Sequence, residues 1–225
     1  MLKLPKARDA NRALGSAVHE AIAENFRQKI ATKEDLPVAG VVAVFRDQLE
    51  RELADVELGD NDAAVDLKAC GELLVRTYME QAAPSVEPAA VELHVTGAIG
   101  GVPVQGYLDV MDVNGDVIDV KTASKKPSGV RADYRIQLGT YAMIAPRASG
   151  RARLQTLTKT KTVQLHTQTV DVTDADRRHA SKLYQIAQEG MRSGLYMPNR
   201  GSLLCSRKYC SFWARCVEEY GGEVE

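Results

Sequence analysis

The chain has 225 residues, of which 44% are hydrophobic and 26% are charged, and its formal net charge at pH 7 is −1. This composition is typical of a globular protein with one large domain, or of one domain that carries an insertion. No run of 18 apolar residues occurs, which argues against a membrane-spanning helix. The first fifteen residues are basic but contain no apolar signal core, so the sequence predicts a cytoplasmic protein.

Helices are predicted for the first part of the chain. Apolar residues recur at helical spacing in residues 10–29, and again in two segments near 39–54 and 62–81. Pro37 interrupts the pattern between the first two segments, and "APSVEP" at 83–88 ends the helical part.

The next segment alternates apolar and polar residues with the period of two that is typical of β-strands. Three strands are expected between about residues 91 and 122, with an Asn-Gly turn signal at 114–116 before the third strand. A helix, a hairpin and another helix follow, at about residues 131–145, 152–158 with 162–170, and 173–192, the last capped by Thr173 or Asp174. An irregular tail completes the chain. This order predicts an α/β fold with a mixed β-sheet flanked by helices.

Charged residues occur inside the second and third of these strands, where they are uncommon. Asp119 and Lys121 are two residues apart on the third strand, so both side chains lie on one face. Asp109 occupies the second strand. Whether it joins the other two depends on the turn between the strands.

The turn length decides this register. A two-residue turn at Asn114-Gly115 directs Asp109 to the opposite face. A three-residue turn at 114–116 pairs Val113 with Val117 and places Asp109 opposite Lys121, on the face of Asp119. Asparagine followed by glycine suits a turn with a left-handed glycine, so we predict the odd-length register.

Two carboxylates that converge on one face repel each other unless a cation lies between them. Carboxylate oxygens suit Mg²⁺ or Mn²⁺, and a lysine beside them can orient a water molecule or stabilise charge on a phosphate. The pattern therefore favours metal-assisted attack of water on a phosphodiester. The alternative on spacing alone is an Asp–Lys pair that stabilises the fold without catalysis.

Other polar residues are candidates for the same site. His19 lies on the first helix, either as a ligand or as a satisfied core residue. Gln137 and Tyr141 are four residues apart on a helix and share a face, which either holds the lysine or a phosphate or is simply half-buried. Glu92 could reach a metal through water, but we favour a strand residue that faces solvent.

Charge is unevenly distributed along the chain. Between Tyr134 and Val170 there is no Asp or Glu, although several Arg and Lys occur there, whereas the segment from Glu50 to Asp66 is rich in acids. This asymmetry suits a protein that meets a polyanion on one side. The alternative is two solvated faces of opposite charge.

Four short motifs follow one another: "GSAVHEA" (15–21), "GYLDV" (106–110), "VIDVKT" (117–122) and "QLGTY" (137–141). Together they resemble the RecB-like branch of the PD-(D/E)XK nuclease superfamily, which includes the CRISPR-associated exonucleases. The resemblance implies a restriction-endonuclease-like fold with a helical insertion. It also implies one nuclease domain over residues 1–225, divided into a helical portion at about 31–85, a nuclease core at about 86–192 and a cysteine-containing tail at 193–225.

The resemblance implies a role for each motif residue. His19, Asp109, Asp119 and the carbonyl of Val120 would bind Mg²⁺ or Mn²⁺, and Asp119 stands where Glu is more common in the family. Lys121 would be the catalytic lysine, acting with both aspartates. The residues expected to position the lysine and the DNA are Gln137 and Tyr141. Apart from the motifs, the residues expected to contact the DNA backbone, because they lie near the site in sequence, are Lys125, Lys126, Arg131 and Arg135.

The cysteines raise the question of a metal cluster. Many relatives bind a [4Fe-4S] cluster through one cysteine before the histidine motif and three near the C-terminus. This chain supplies the three, but no cysteine precedes His19. A cluster would therefore need Cys70 as its fourth ligand. The full candidate set is Cys70, Cys205, Cys210 and Cys216; the alternatives are a zinc site, or reduced cysteines packed beside Phe212 and Trp213.

The sequence thus predicts a Mg²⁺- or Mn²⁺-dependent DNA nuclease, specifically an exonuclease acting on single-stranded or end-bearing DNA. Three alternatives remain: a non-catalytic nucleic-acid-binding module with a vestigial site, a structure-specific endonuclease, and an iron–sulfur interaction protein. Protein partners are expected in repair, recombination or CRISPR adaptation, and no membrane partner is expected.

Overall fold

The computed structural model describes residues 10–54, 56, 67–160, 162–195, 199–202, 205–207 and 209–221. The α-helices are α1 (Ala10–Thr32), α2 (Val38–Leu53), α3 (Leu67–Gln81), α4 (Ala132–Ile144), α5 (Asp174–Arg192) and α6 (Trp213–Tyr220). The strands are β1 (Pro88–Ile99), β2 (Val102–Asp112), β3 (Val117–Ala123), β4 (Arg151–Thr158) and β5 (Gln164–Asp171).

The strands form one five-stranded sheet in the order β1-β2-β3-β4-β5. β3 and β4 are parallel, because α4 carries the chain back between them, and the other neighbours are antiparallel. The predicted mixed sheet flanked by helices is confirmed.

Most predicted elements occur where the pattern placed them. Thr173 caps α5 with a capping box, since its hydroxyl accepts the backbone N–H of Asp176 and the Asp176 carboxylate accepts the N–H of Thr173. The first five residues of the helix predicted at 62–81 lie outside the described residues. The prediction of an irregular tail is wrong for α6.

The three N-terminal helices share one hydrophobic core with the sheet. Phe26, Phe45 and Tyr78 are fully buried within it. The sheet residues that complete this core are Val110, Ile118, Val120 and Leu157. The Tyr78 hydroxyl also donates to Gln155 Oε1 at 2.7 Å, so each of these two buried polar groups has a hydrogen-bond partner. These three helices are therefore packed directly onto the strands that carry the motif residues.

A second, smaller core lies beneath α4. Leu138 and Tyr141 of this helix pack against Val95, Leu108 and Val117 of the first three strands. Because α1 and α4 pack on different parts of β2 and β3, the segment of these strands around Asp109 and Asp119 lies between two packed helices.

The turn between β2 and β3 differs from the prediction by one residue. Val110 pairs with Ile118 and Met111 with Val117, and the N–H of Asp112 donates to the carbonyl of Asp116. The turn is thus 113–115, not 114–116. The odd-length register is right, but continuing it by one residue puts Asp109 across from Asp119 rather than from Lys121.

Two features set this turn. The Asp112 carboxylate accepts the N–H groups of Asn114 and Asp116, which closes a side-chain turn one residue earlier than expected. Gly115 has φ +82°, and a Cβ there would lie 2.2 Å from the carbonyl oxygen of Arg147. Only glycine fits this position without displacing the backbone.

No helix in the described part of the chain combines the length and apolar character needed to cross a bilayer.

Candidate active site

The third strand brings an acid and a lysine together. Lys121 Nζ lies 2.6 Å from Asp119 Oδ2, and the side chain of Asp119 is only 2% exposed. Both residues follow the strand period of two, as the sequence predicts. A carboxylate this deeply buried is strongly destabilised as an anion unless a cation is beside it, so the pair is electrostatically interdependent.

Asp109 joins this pair where β2 and β3 separate. Its Oδ2 accepts the backbone N–H of Val120 at 2.8 Å, so the second strand binds the third through a side chain rather than through the ladder. The same oxygen lies 3.4 Å from His19 Nδ1. His19 therefore faces the sheet from α1, in contact with the aspartate.

Glu92 completes the group from β1. Val91 pairs with Val110 and Leu93 with Leu108, so Glu92 stands across from Asp109. One ligand atom from each of His19, Glu92 and Asp109 lies within 4.8 Å of the others. The interpretation of Glu92 as a solvent-facing strand residue is wrong.

The backbone at Glu92 is unusual for a residue with a side chain. Its φ is +48°, in the left-handed region that residues other than glycine adopt at a cost of order 1–3 kcal/mol. Strain of this kind concentrates at functional sites. Neither this conformation nor the register with β2 is visible in the alternation of the sequence.

The space between these groups suits a small cation. A cavity of about 10 Å³, room for roughly one water-sized particle, is lined by His19, Glu92 and Asp109 together with Val120 and residues of α1. One imidazole nitrogen and several carboxylate oxygens form a donor set that Mn²⁺ or Mg²⁺ accepts. The residues therefore fit a divalent metal.

The ionisation of the carboxylates points the same way. Burial, and then the charge of Asp109, raise the pKa of Asp119 to about 6. The pKa of Glu92 is also raised, first by burial and then by Asp109. Such mutual repulsion is relieved when a cation is shared between the carboxylates.

In three other groups of the site, the pKa shift favours the charged form. Burial works against the ionised form of Asp109, but the hydrogen bond and charge of His19, with Lys121, outweigh it and lower the pKa of Asp109. Burial also opposes the charged forms of His19 and Lys121, yet Asp109 raises the pKa of His19 and Asp119 raises that of Lys121. These shifts favour the anion at Asp109 and the cations at His19 and Lys121.

Helix α4 covers the lysine end of the site. Gln137 Nε2 donates to the Tyr141 hydroxyl at 3.3 Å, so the two residues do share a face. A Cβ at Gly106 would lie 2.8 Å from the Tyr141 ring, which explains the glycine of the "GYLDV" motif as a point of close packing. Tyr134, two turns before Tyr141, has its ring centroid 5.6 Å from Lys121 Nζ.

The four predicted DNA-contacting residues differ in their surroundings. Lys125 and Lys126 are exposed on the loop after β3. Arg131 binds Asp133 through two hydrogen bonds of 3.0 and 2.9 Å, and Arg135 binds Asp176 at 3.4 Å. Exposed ion pairs of this kind contribute little to stability and can exchange for a phosphate.

The acid-free stretch between Tyr134 and Val170 contacts acidic residues from other parts of the chain. Arg151 pairs with Asp171, and Arg153 pairs with Asp112 and lies near Asp116. The basic character of this part of the chain is therefore smaller than its sequence predicts. Lys161 of this stretch lies outside the described residues, as does most of the acidic segment up to Asp66.

The four cysteines are free thiols and half-buried. Cys70 packs against the main core from α3, whereas the other three belong to the tail after α5. The described residues bring no three of them within the mutual distance expected around one metal ion. A [4Fe-4S] cluster on Cys70, Cys205, Cys210 and Cys216 stays a prediction.

Comparison with known proteins identifies the family of the chain. The family model of the PD-(D/E)XK nuclease superfamily matches residues 1–217. The chain belongs to this superfamily, and the sheet flanked by helices is its restriction-endonuclease-like fold. No curated protein matches the chain closely enough to count as a relative.

Two solved structures match the chain. One is an exonuclease candidate from Eubacterium rectale, with a TM-score of 0.52 and 13% identity; the alignment covers 81% of this chain and 75% of that one. The other is the protein SSO0001, with a TM-score of 0.45 and 15% identity over 97% of this chain and 89% of that one. At these identities, the first similarity concerns the fold alone.

Proposed function

We propose that this protein is a divalent-metal-dependent deoxyribonuclease of the RecB-like branch, and that it removes nucleotides from single-stranded or end-bearing DNA. The observation that carries the proposal is the convergence of His19, Glu92 and Asp109 within 4.8 Å of one another, beside the buried Asp119–Lys121 pair. A fold-stabilising ion pair alone needs neither the third carboxylate nor the strained backbone at Glu92.

The metal would be Mg²⁺ or Mn²⁺, held by His19, Asp109, Asp119 and the carbonyl of Val120, with Glu92 as an additional oxygen ligand. A bound divalent cation supplies a water molecule that is more easily deprotonated and neutralises charge on the phosphate. The protein's part is to fix the oxygens: Asp109 through the Val120 N–H, and Asp119 through its near-complete burial.

Lys121 would be the catalytic lysine. Its ammonium group is held at Asp119 and lies at the half-open end of the site, where its side chain is 22% exposed. From there it would orient the attacking water and stabilise negative charge on the phosphate. Gln137 and Tyr141, joined by their hydrogen bond, would limit where the lysine and the DNA strand can lie.

The DNA would approach along the loop after β3 and the first turn of α4. Lys125 and Lys126 are exposed there, and Arg131 and Arg135 are exposed in weak pairs. Aromatic residues make up only 5% of the chain. Backbone charge would therefore contribute more to binding than base stacking does, and binding should weaken steeply with salt.

Digestion of end-labelled DNA tests the proposal. We expect cleavage of a linear single strand with Mn²⁺ or Mg²⁺, no cleavage in EDTA, and loss of cleavage in Lys121→Ala and Asp119→Ala. The matched control is Lys182→Ala, which removes an exposed lysine from α5. Undiminished cleavage in both site variants would end the assignment.

A circular single strand separates the remaining alternatives. An exonuclease leaves the circle intact, whereas a structure-specific endonuclease nicks a folded circle. Salt-dependent binding without cleavage in either metal would indicate a vestigial site. The cytoplasmic location and the partners in repair, recombination or CRISPR adaptation stay predictions that this assay does not address.

A further inference from the structure

Tyr134 presents its ring to the catalytic lysine candidate, Lys121. Its ring centroid is 5.6 Å from Lys121 Nζ and 5.3 Å from the guanidinium carbon of Arg131. Both distances fall within the range in which the face of an aromatic ring attracts a cation. Tyr134 is half-buried in the first turn of α4.

The two cations differ in how they are neutralised. Arg131 already shares its charge with Asp133 through two hydrogen bonds at the surface. Lys121 has the buried Asp119 as its ion-pair partner among the described residues. The ring is therefore a further group, besides the carboxylate of Asp119, that contacts the lysine.

This second contact matters because Lys121 has a long, flexible side chain. On the proposed function, Asp119 would share its carboxylate with a metal ion, which weakens its hold on the ammonium group. A neutral ring face attracts the ammonium without competing for the metal.

Helix α4 places Tyr134 in one row with Gln137 and Tyr141. Tyr134, Gln137 and Tyr141 have the spacing i, i+3 and i+7, which lies on one face of α4. The last two are joined by a hydrogen bond, and the first contacts the lysine. The row thus extends from the packed glycine of β2 to the open end of the site.

We propose that Tyr134 is a positioning residue for the nuclease reaction, whose ring face keeps the Lys121 ammonium directed at the reacting phosphate. This proposal rests on the proposed function of the same site. It requires the aromatic ring and not the hydroxyl group.

Steady-state cleavage kinetics of three variants test it. We expect kcat to fall about tenfold in Tyr134→Leu while KM for DNA changes less than about twofold, and Tyr134→Phe to restore most of the lost rate. Tyr220→Leu, which removes a partly exposed tyrosine from α6, controls for surface effects. Thermal unfolding of each variant checks that the fold persists.

Three kinetic outcomes would overturn the proposal: a normal kcat in Tyr134→Leu, an equal loss in Tyr134→Phe, or a change confined to KM, which would indicate base stacking instead. A proton–carbon NMR spectrum supplies a readout without activity. The ε-CH₂ protons of Lys121, assigned with Lys121→Met, should be shifted upfield by the ring current in wild type and Tyr134→Phe, and not in Tyr134→Leu. An unshifted signal in the wild type would also overturn it.

The NMR result separates this proposal from the proposed function. If the wild-type protein cleaves no DNA with Mn²⁺ or Mg²⁺, the nuclease assignment fails, while the spectrum still reports whether the ring holds the lysine. If it cleaves DNA and the three variants are equally active, only the role of Tyr134 fails.

Discussion

The hairpin formed by β2 and β3 has a buried aspartate at each end, and the two have opposite surroundings. At the turn, Asp112 is 4% exposed and accepts hydrogen bonds from two backbone N–H groups and from Arg153. At the other end, Asp119 is 2% exposed, is bound by Lys121 and is repelled by Asp109. Burial of a charge is therefore no sign of function by itself; incomplete neutralisation is the informative feature.

Alanine substitutions at the two aspartates should give the largest contrast. On the proposed function, Asp119→Ala should lower cleavage by at least about 10³-fold, because the site would lose a proposed metal ligand and the partner of the lysine together. Asp112→Ala should leave the chemistry in place but lower the free energy of unfolding by about 3 kcal/mol, because Arg153 and two N–H groups lose their partner. Cleavage assays and urea unfolding of both variants measure this; the reverse pattern would refute the comparison.

Metal binding should give the second-largest difference between the two ends of the β2–β3 hairpin. Mn²⁺ at about 100 times its dissociation constant should stabilise the wild type by about 2.7 kcal/mol, seen as a higher melting temperature. Asp112→Ala should keep this increment, whereas Asp109→Ala should lose it, because Asp109 contacts both His19 and the Val120 N–H. An equal increment in both variants would place the metal elsewhere.

The pH dependence of the stability of the metal-free protein follows from the carboxyl group of Asp119. Its pKa in the folded protein, about 6, lies above its ordinary value of 3.8. In the metal-free protein this group therefore stabilises the fold most below about pH 4, and that contribution is lost as the pH rises through about 6.

Metal binding has the opposite dependence, since protons compete for the ligands. The Mn²⁺-induced increase in melting temperature should be full at about pH 8, markedly smaller near pH 6 and absent at about pH 5. Melting curves with and without Mn²⁺ across this range are the measurement. An increment that is independent of pH would contradict the ligand assignment.

The smallest expected effect concerns the exposed lysines. Replacing Lys125 and Lys126 together by alanine should weaken single-strand binding severalfold and reduce the slope of log K against log salt by about 1.4, or about 0.7 for each phosphate that a lysine no longer neutralises. Arg151→Ala, at the turn end and already paired with Asp171, is the matched control and should keep the wild-type slope. Fluorescence anisotropy at several salt concentrations measures these slopes. An unchanged slope in the double variant would show that the loop does not contact DNA.

Much of this site is local in sequence and was predictable. The period of two in "VIDVKT" placed Asp119 and Lys121 on one face, and helical spacing placed Gln137 with Tyr141. The parity of the β2–β3 register was also predictable from the Asn-Gly pair. The predicted turn is one residue too late because the side chain of Asp112, rather than the backbone alone, closes it.

The rest depends on contacts that are distant in sequence. Glu92 approaches Asp109 only through the β1–β2 register and a left-handed backbone. Within the acid-free stretch, Arg151 pairs with Asp171 of β5 and Arg153 pairs with Asp112 of β2, and both acids lie outside the stretch in sequence. Tyr134 was detectable in principle, because it extends the Gln137–Tyr141 row toward the start of the helix, but its contact with Lys121 requires the packing of α4 on β3.

The short ladder between β2 and β3 gives the backbone at the site an unusual role. Within the described strands, the residue pairs of this ladder are Val110–Ile118 and Met111–Val117, and beyond them the amide of Val120 depends on the Asp109 carboxylate. On the proposed function, the Asp109 carboxylate would bind both the metal and this amide, and it would link metal occupancy to hydrogen exchange at one backbone position. The exchange rate of that single amide would therefore report how firmly the two halves of the sheet are joined while the protein works.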